Sequence, residues 1–310
     1  MIFVLRAIMV SLAFFALLYS LLSLLLVLTW RGLRLCHLQK HIAARSFFRL
    51  RVIPFGISAA VSLFLTLPSF LLLERHSLDE DLGTFVLSGC AVLILGMGIY
   101  RVLAAEVRTR RVVSACLEGA IGVERKAVTP TIILSQSIPP VMLVGIRVPR
   151  ILISASACKV LSDGELRAAV RHETAHFRTR DNLKKAILSC LPFPGMAGLE
   201  EAWQEASELA ADDGAVSSRD EALDLAAALI KLARHFPGQA IPDLATGLVS
   251  AVGSVTSRVE RLVAWKESSA ASPNGWRYVI AVAVIAFFGL AAKIGPALVL
   301  VHSLTERLVP

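Results

Sequence analysis

Two histidines stand four residues apart in the run Arg171-His172-Glu173-Thr174-Ala175-His176. On a helix, His172 and His176 project from one face, so two imidazoles can converge on one ion. Glu173, three residues before His176, is close enough to that face to work on a water held by the same ion. The spacing is that of the H-E-x-x-H motif, whose chemistry is zinc-assisted peptide hydrolysis. Chance alone produces the pattern roughly 0.008 times in a chain of this composition, so its surroundings decide. Upstream, Ser162-Asp163-Gly164-Glu165 is a capping box that starts a helix. Arg167, Arg171 and Arg178 form a polar stripe on that helix, while Leu166, Ala169, Val170 and Phe177 can pack. The motif therefore sits in mid-helix.

A catalytic zinc takes three protein ligands and keeps one position for water. Glu208, in the helical pattern from Leu199 to Ala215, is the best candidate for the third ligand. The competing reading is one more solvated acid beside Glu200, Glu201, Glu205 and Asp213. Asp212 lies one turn beyond Glu208, where it could accept an N–H from a ligating histidine and fix its tautomer. In the hydrolytic reading one zinc per chain is held by His172, His176 and Glu208, and Glu173 is the general base, later returning the proton to the leaving amine. A donor to the tetrahedral oxyanion is also needed. Tyr19, Tyr100 and Tyr278 all fall in or beside apolar runs, which leaves His235, Arg258 and Arg261 as candidates.

Around this site the chain is hydrophobic: 55% of residues are apolar and the mean hydropathy is +0.67, outside the range of ordinary soluble domains. The uncharged stretches 7–28, 52–73 and 82–100 are each long enough to span about 30 Å of hydrocarbon. A fourth, 278–301, is interrupted by Lys293 and Pro296. No small-residue cleavage site precedes Trp30-Arg31, so the first stretch reads as an uncleaved span. Arg31, Arg34, Lys40, Arg45, Arg49 and Arg51 follow the first span; Arg101, Arg108, Arg110 and Arg111 follow the third. The loop after the second holds Glu74, Asp79, Glu80 and Asp81 against Arg75. The positive-inside rule then makes this a multi-pass protein of the cell (inner) membrane, with the zinc motif cytoplasmic and both termini outside. Much of the net charge of +8 is topological, and with no arginine–aromatic groove pattern nothing points to nucleic acid. Membrane lipid is the expected contact of the basic loops. His37 and His41 beside Cys36 read as part of a basic juxtamembrane helix, not a second metal site.

Cys36, Cys90, Cys116, Cys158 and Cys190 are odd in number and scattered, as in a reducing compartment. The expected domains are 1–104 with three spans, 105–276 as a cytoplasmic peptidase domain, and 277–310 with the fourth span and a short tail. Within the second, Glu106–Glu118 reads as helical, and Ala127–Leu134, Val141–Val144 and Arg150–Ser154 as short strands. An exposed edge of such a sheet could hold an extended peptide by main-chain pairing. Leu183–Leu191 reads as a short buried helix, and Arg219–His235 and Ser254–Trp265 as amphipathic helices. The fold class is an α-helical membrane protein of four transmembrane helices with an inserted α+β, zincin-like domain, mostly helical with a small sheet.

These motifs resemble those of the BlaR/MecR-type membrane zinc metallopeptidases, which are gluzincins that act as signal-transducing antirepressors. The resemblance runs through Gly145-Ile146-Arg147-Val148-Pro149-Arg150-Ile151-Leu152, Leu161 to Glu165, the histidine motif with Asp181 five residues on, Glu208 to Asp212, and Arg258-Val259-Glu260-Arg261-Leu262. It implies a zinc endopeptidase that cleaves a protein or peptide substrate such as a transcriptional repressor, with Asp181 and Asp212 supporting the ligands. HtpX/Ste24-type peptidases share the zinc motifs and would imply membrane-protein quality control instead. They carry a membrane hairpin before the third ligand, for which 183–199 looks too short. A membrane sensor or scaffold in which zinc only stabilises the domain is the non-catalytic alternative. The chain is expected to lack the penicillin-binding sensor of some relatives, so β-lactam sensing does not carry over. Oligomeric state and inducing signal have no signature in the sequence.

Overall fold

A computed structural model describes residues 2–35, 44–73, 82–118, 130–135, 140–236, 244–248 and 255–266, with 299 and 303. Helices α1 (Ile2–Leu35), α2 (Ala44–Val61), α3 (Leu67–Leu73) and α4 (Leu82–Glu118) come first. Among the described residues three segments are long and apolar enough to cross a membrane: Phe3–Gly32, Ala44–Leu73 and Leu82–Ala115. The expected fourth span lies almost wholly outside the described residues, as do His37, His41 and Cys36. Phe64, Leu72 and Leu93 are each at least 70% exposed, which suits a lipid-facing surface and no aqueous one. Between α2 and α3 the chain forms one π turn, Ser62–Thr66, just before Pro68. Proline has no N–H and crowds the preceding turn, and a widened turn relieves both faults.

The chain divides into two compact units. One holds 1–32, 52–96 and 268–310. There Ala7, Val10 and Phe70 pack together, and Phe15 meets Phe55 edge-on with centroids 5.5 Å apart. Ser11 and Ser58 donate to the carbonyls of Ala7 and Pro54, satisfying their hydroxyls within their own helices.

The other unit, 33–51 and 97–267, carries the histidine motif. Here α4 continues without a break through the expected Glu106–Glu118 helix, since neither glycine nor proline follows Gly98 in it. Gly98 is required where it stands: a Cβ would run into the Cys190 carbonyl oxygen. Strands β1 (Thr131–Ser135), β2 (Val141–Val144), β3 (Arg150–Ser154) and β4 (Ala245–Gly247) form one mixed sheet in the order β1-β3-β2-β4. β1 is parallel to β3, while β2 is antiparallel to both β3 and β4. All four residues of β2 are buried because both faces are covered. Val141, Leu143, Ile151 and Ile153 face the main core; Met142, Val144 and Leu152 face a smaller one with Ile133 and Ala245. This is the two-residue alternation of a sheet written in apolar residues on both sides.

Against the main-core face lie α5 (Ala155–Val160), α6 (Asp163–Thr179), α9 (Arg219–His235) and α10 (Val255–Val263), while α7 (Asp181–Ser189) and α8 (Ala197–Ala215) complete the unit. The capping box starts α6: Ser162 Oγ accepts from the Glu165 N–H at 3.3 Å, and Glu165 Oε2 accepts from the Ser162 N–H at 2.8 Å. α6 stops at Arg180, whose left-handed backbone (φ 56°) turns the chain into α7. Ala168 and Ala169 let α9 come close, and Leu225, Leu229 and Leu232 fill the interface. Arg51, on α2 and 2% exposed, reaches α8 through Glu200 (3.0 Å) and donates to the Leu191 carbonyl. Burying that guanidinium is tolerable only because it is paired.

Leu229 is fully buried at the centre of this packing. Leu229→Ala should cost about 2–5 kcal/mol by leaving a cavity under α6. Denaturant titration of the purified protein, followed by tryptophan fluorescence, checks this; an unchanged midpoint would contradict the packing described.

Candidate metal centre

α6 and α8 lie side by side, and their facing sides carry unusual cargo for a core. His172, Glu173 and His176 on α6 are fully buried; Glu208 and Asp212 on α8 are 6% and 0% exposed. The Nε2 atoms of His172 and His176 are 3.2 Å apart. Glu208 Oε2 is 3.5 Å from the first, and Glu208 Oε1 is 3.7 Å from the second. Four-coordinate zinc with bonds near 2.0–2.1 Å requires ligand atoms about 3.3 Å apart. With one oxygen taken from Glu208, the ligand atoms all lie within 4.8 Å of one another, so the cluster could hold a metal.

The opposite edge of each imidazole faces a carboxylate. His176 Nδ1 is 2.7 Å from Asp181 Oδ2, whose other oxygen accepts from Lys184 at 2.8 Å. His172 Nδ1 is 3.0 Å from Asp212 Oδ1, close but off the line of a hydrogen bond. Each contact favours a proton on Nδ1 and turns the Nε2 lone pair inward. Arg258 closes the cluster from α10. Its Nε and Nη2 donate to the two oxygens of Asp212 at 2.8 and 2.6 Å. Nη1 donates to the Leu248 carbonyl at 2.9 Å and lies 3.1 Å from Glu208 Oε2. With Glu173, Glu208, Asp181 and Asp212 ionised against Arg258 and Lys184, two negative charges remain. A divalent cation offsets both.

The protonation states follow from these neighbours. Burial alone would push the His176 pKa down, but the hydrogen bond to Asp181 and the nearby charge of Glu208 push it up to about 10. The His172 pKa is raised in the same way by Asp212 and Glu208 against its burial. Burial opposes ionisation of Glu208, yet His172, His176 and Arg258 hold its pKa well below the usual carboxylate range. Glu173 moves the other way: burial pushes its pKa up, as suits a base that must exchange a proton near neutrality. Its Oε2 accepts from the Leu143 N–H and the Thr246 hydroxyl, both at 3.1 Å, while its buried Oε1 has no hydrogen-bond partner.

His172, His176, Glu208, Glu173, Asp212 and Asp181 thus come together. Of the three oxyanion candidates, Arg258 is at the cluster, but its hydrogen bonds go to Asp212 and the Leu248 carbonyl and its charge pairs with Glu208. Arg261 is exposed and pairs with Asp213, and His235, also exposed, contacts the Lys231 carbonyl at the end of α9. Among the described residues neither touches the cluster. The hold on Glu173 by Leu143 and Thr246 has no sequence signature, because a main-chain N–H is common to most residues and Thr246 is a lone hydroxyl in the short apolar run Leu244–Leu248. The edges of the sheet are β1 and β4, and β2 is flanked by β3 and β4. An extended peptide cannot add to β2 where β4 is paired with it.

Two helices that bring His, His and Glu onto one ion, with a buried glutamate beside them and a small mixed sheet, define a metallopeptidase of the zincin class. Comparison with protein families narrows this. The family model described as BlaR1 peptidase M56 matches residues 69–262, more than half of the chain, and the protein belongs to that family. No curated protein matches the chain. Membership together with the His/His/Glu cluster and the three apolar helices makes it a membrane zinc metalloendopeptidase.

Zinc must displace the proton that His176 carries before a cation binds. The raised pKa fixes the sign: the proton's contribution to the metal-free fold is full below pH 6.5 and is lost as pH rises through about 10. Zinc affinity should therefore fall as pH falls across the neutral range. Calorimetric titrations at pH 7, in buffers of differing ionisation heat, should show at least about one proton released per zinc; buffer-independent heats would contradict the proposed ligand set.

Proposed function

We propose that the protein cleaves a protein substrate at the cytoplasmic face of the cell membrane, in regulatory proteolysis of the antirepressor kind. The proposed ligands are His172, His176 and Glu208, and the proposed base is Glu173. The observation that carries the catalytic reading is the state of Glu173. One carboxylate oxygen is held by Leu143 and Thr246 while the other is buried without a partner beside the ligand cluster. A purely structural glutamate would have both oxygens satisfied.

Zinc, when bound, supplies Lewis acidity and brings the pKa of a water toward about 7. Glu173, through its free Oε1, would take a proton from the hydrolytic water and return it to the departing amine. Burial raises the proton affinity of Glu173 for the first step, and the two donors on Oε2 keep the carboxylate from rotating away. Asp181 and Asp212 orient the imidazoles, and Arg258 positions Glu208 and Asp212. Arg258 acts through those residues, not on the substrate.

The cytoplasmic placement rests on the basic loops after the first and third spans, with 105–276 as the peptidase domain and 277–310 bringing a fourth span. Regulatory proteolysis is favoured over membrane-protein quality control by the short connection between the metal helices. It is filled by the nine-residue α7, too short for a hairpin through the bilayer.

Glu173→Gln should bind zinc as the wild type does and lose cleavage by about 10²–10⁴-fold. Protein termini that appear in cells carrying the wild type, but not Glu173→Gln, should identify the substrate by mass spectrometry. Cleavage by the variant at the wild-type rate would remove Glu173 from the mechanism.

A further inference from the structure

Beside the metal cluster is a cavity of about 550 Å³ whose wall includes His176 and Leu143. Leu143 is the residue whose N–H holds Glu173. Arg147, Arg178 and Arg180 also line it. All three are exposed, and among the described residues none has a side-chain hydrogen bond or an ion pair. The acid in the wall, Asp181, is committed to His176 and Lys184. Asn182, 3% exposed, gives its Nδ2 to the Leu143 and Gly145 carbonyls at 3.2 and 3.3 Å. Its buried Oδ1 has no donor.

The backbone around these arginines is costly to build. Arg180 is the one non-glycine residue with positive φ among the described residues. Glycine or asparagine would take that conformation more easily. Arg147 sits on the turn that Gly145 makes possible at φ 89°, where a Cβ would meet the Val148 carbonyl at 2.6 Å. Guanidinium groups with no acid of their own, held at such positions around a cavity, are suited to bind a carboxylate from outside by bidentate hydrogen bonds.

We propose that this cavity is a substrate subsite for an acidic side chain, aspartate or glutamate, close to the scissile bond, with Arg147, Arg178 and Arg180 as its specificity residues. The proposal rests on the peptidase reading above. Asn182 Oδ1 provides an acceptor for a main-chain N–H of the same peptide. An anionic lipid headgroup carries similar charge, but a wall built from a proposed metal ligand and the residue anchoring Glu173 favours the peptide.

The test uses the full-length, zinc-loaded protein in phosphatidylcholine nanodiscs. Its probe is a library of quenched peptides with Asp or Glu, Asn or Gln, or Lys at each position around the cleaved bond. At one such position Asp or Glu should be preferred by about tenfold or more in kcat/KM. Arg180→Gly frees the left-handed backbone while removing the guanidinium, and should lower that preference without loss of zinc. Arg178→Glu should shift it toward Lys, and the exposed Arg234→Glu should leave it unchanged. Cleavage indifferent to the acidic residue, or a preference unmoved by Arg180→Gly and Arg178→Glu, overturns the subsite alone. If those variants lose only their association with phosphatidylglycerol vesicles, the patch is a lipid contact and the subsite is likewise overturned. Wild-type protein that cuts no peptide or protein at all overturns the peptidase reading, and the subsite with it.

Discussion

A carboxylate at the back of each imidazole is the constraint on which the rest of this structure depends. Asp181 faces Nδ1 of His176, and Asp212 faces Nδ1 of His172. The two Nε2 atoms are left 3.2 Å apart in a water-excluded interior. Neither histidine could be kept there alone, since a buried polar ring without partners is costly. Each supporting acid is itself neutralised, Asp181 by Lys184 and Asp212 by Arg258. The site is a chain of alternating charges that a metal ion would complete.

That chain explains the order of the elements around it. α6 must stop soon after His176 so that Asp181 can return to it, and the left-handed Arg180 makes the stop. α8 must lie against α6 to deliver Glu208 and Asp212 one turn apart, and small residues such as Ala175 and Ala211 permit the approach. α10 supplies only Arg258 to the cluster, yet without it Asp212 and Glu208, one turn apart on α8, would be buried like charges lacking that cation. The sheet then holds Glu173 from the far side through Leu143 and Thr246. Helix α8 is also where Arg51 docks through Glu200, and Trp203 meets Phe48 with centroids 6.4 Å apart. Phe48 and Arg51 thus belong to the same compact unit as the helix bearing Glu208.

What the sequence reveals is what has a period or a fixed spacing. His172, Glu173 and His176, the Ser162–Glu165 capping box and the amphipathic run Arg219–His235 announce themselves because helical geometry repeats. The inner strands are legible as apolar runs. Arg258 reads only as a distant cation and candidate oxyanion donor, because nothing local signals that it turns back onto Asp212. β4 is three residues long, too short for an alternating pattern to reveal it. The anchoring of Glu173 is invisible for a further reason: a main-chain N–H and one hydroxyl, brought together by tertiary structure, leave no residue pattern. Binding sites made of side chains at helical spacing can be read from sequence; those made of backbone cannot.

The central claim is that two imidazoles and the Glu208 carboxylate share one zinc. X-ray absorption at the zinc edge of the full-length protein tests it most directly. The account predicts a first shell of nitrogen and oxygen at about 2.0–2.1 Å with imidazole scattering, no sulfur, and a changed shell in Glu208→Ala. A zinc–sulfur distance near 2.3 Å, or a spectrum that Glu208→Ala leaves untouched, would contradict it.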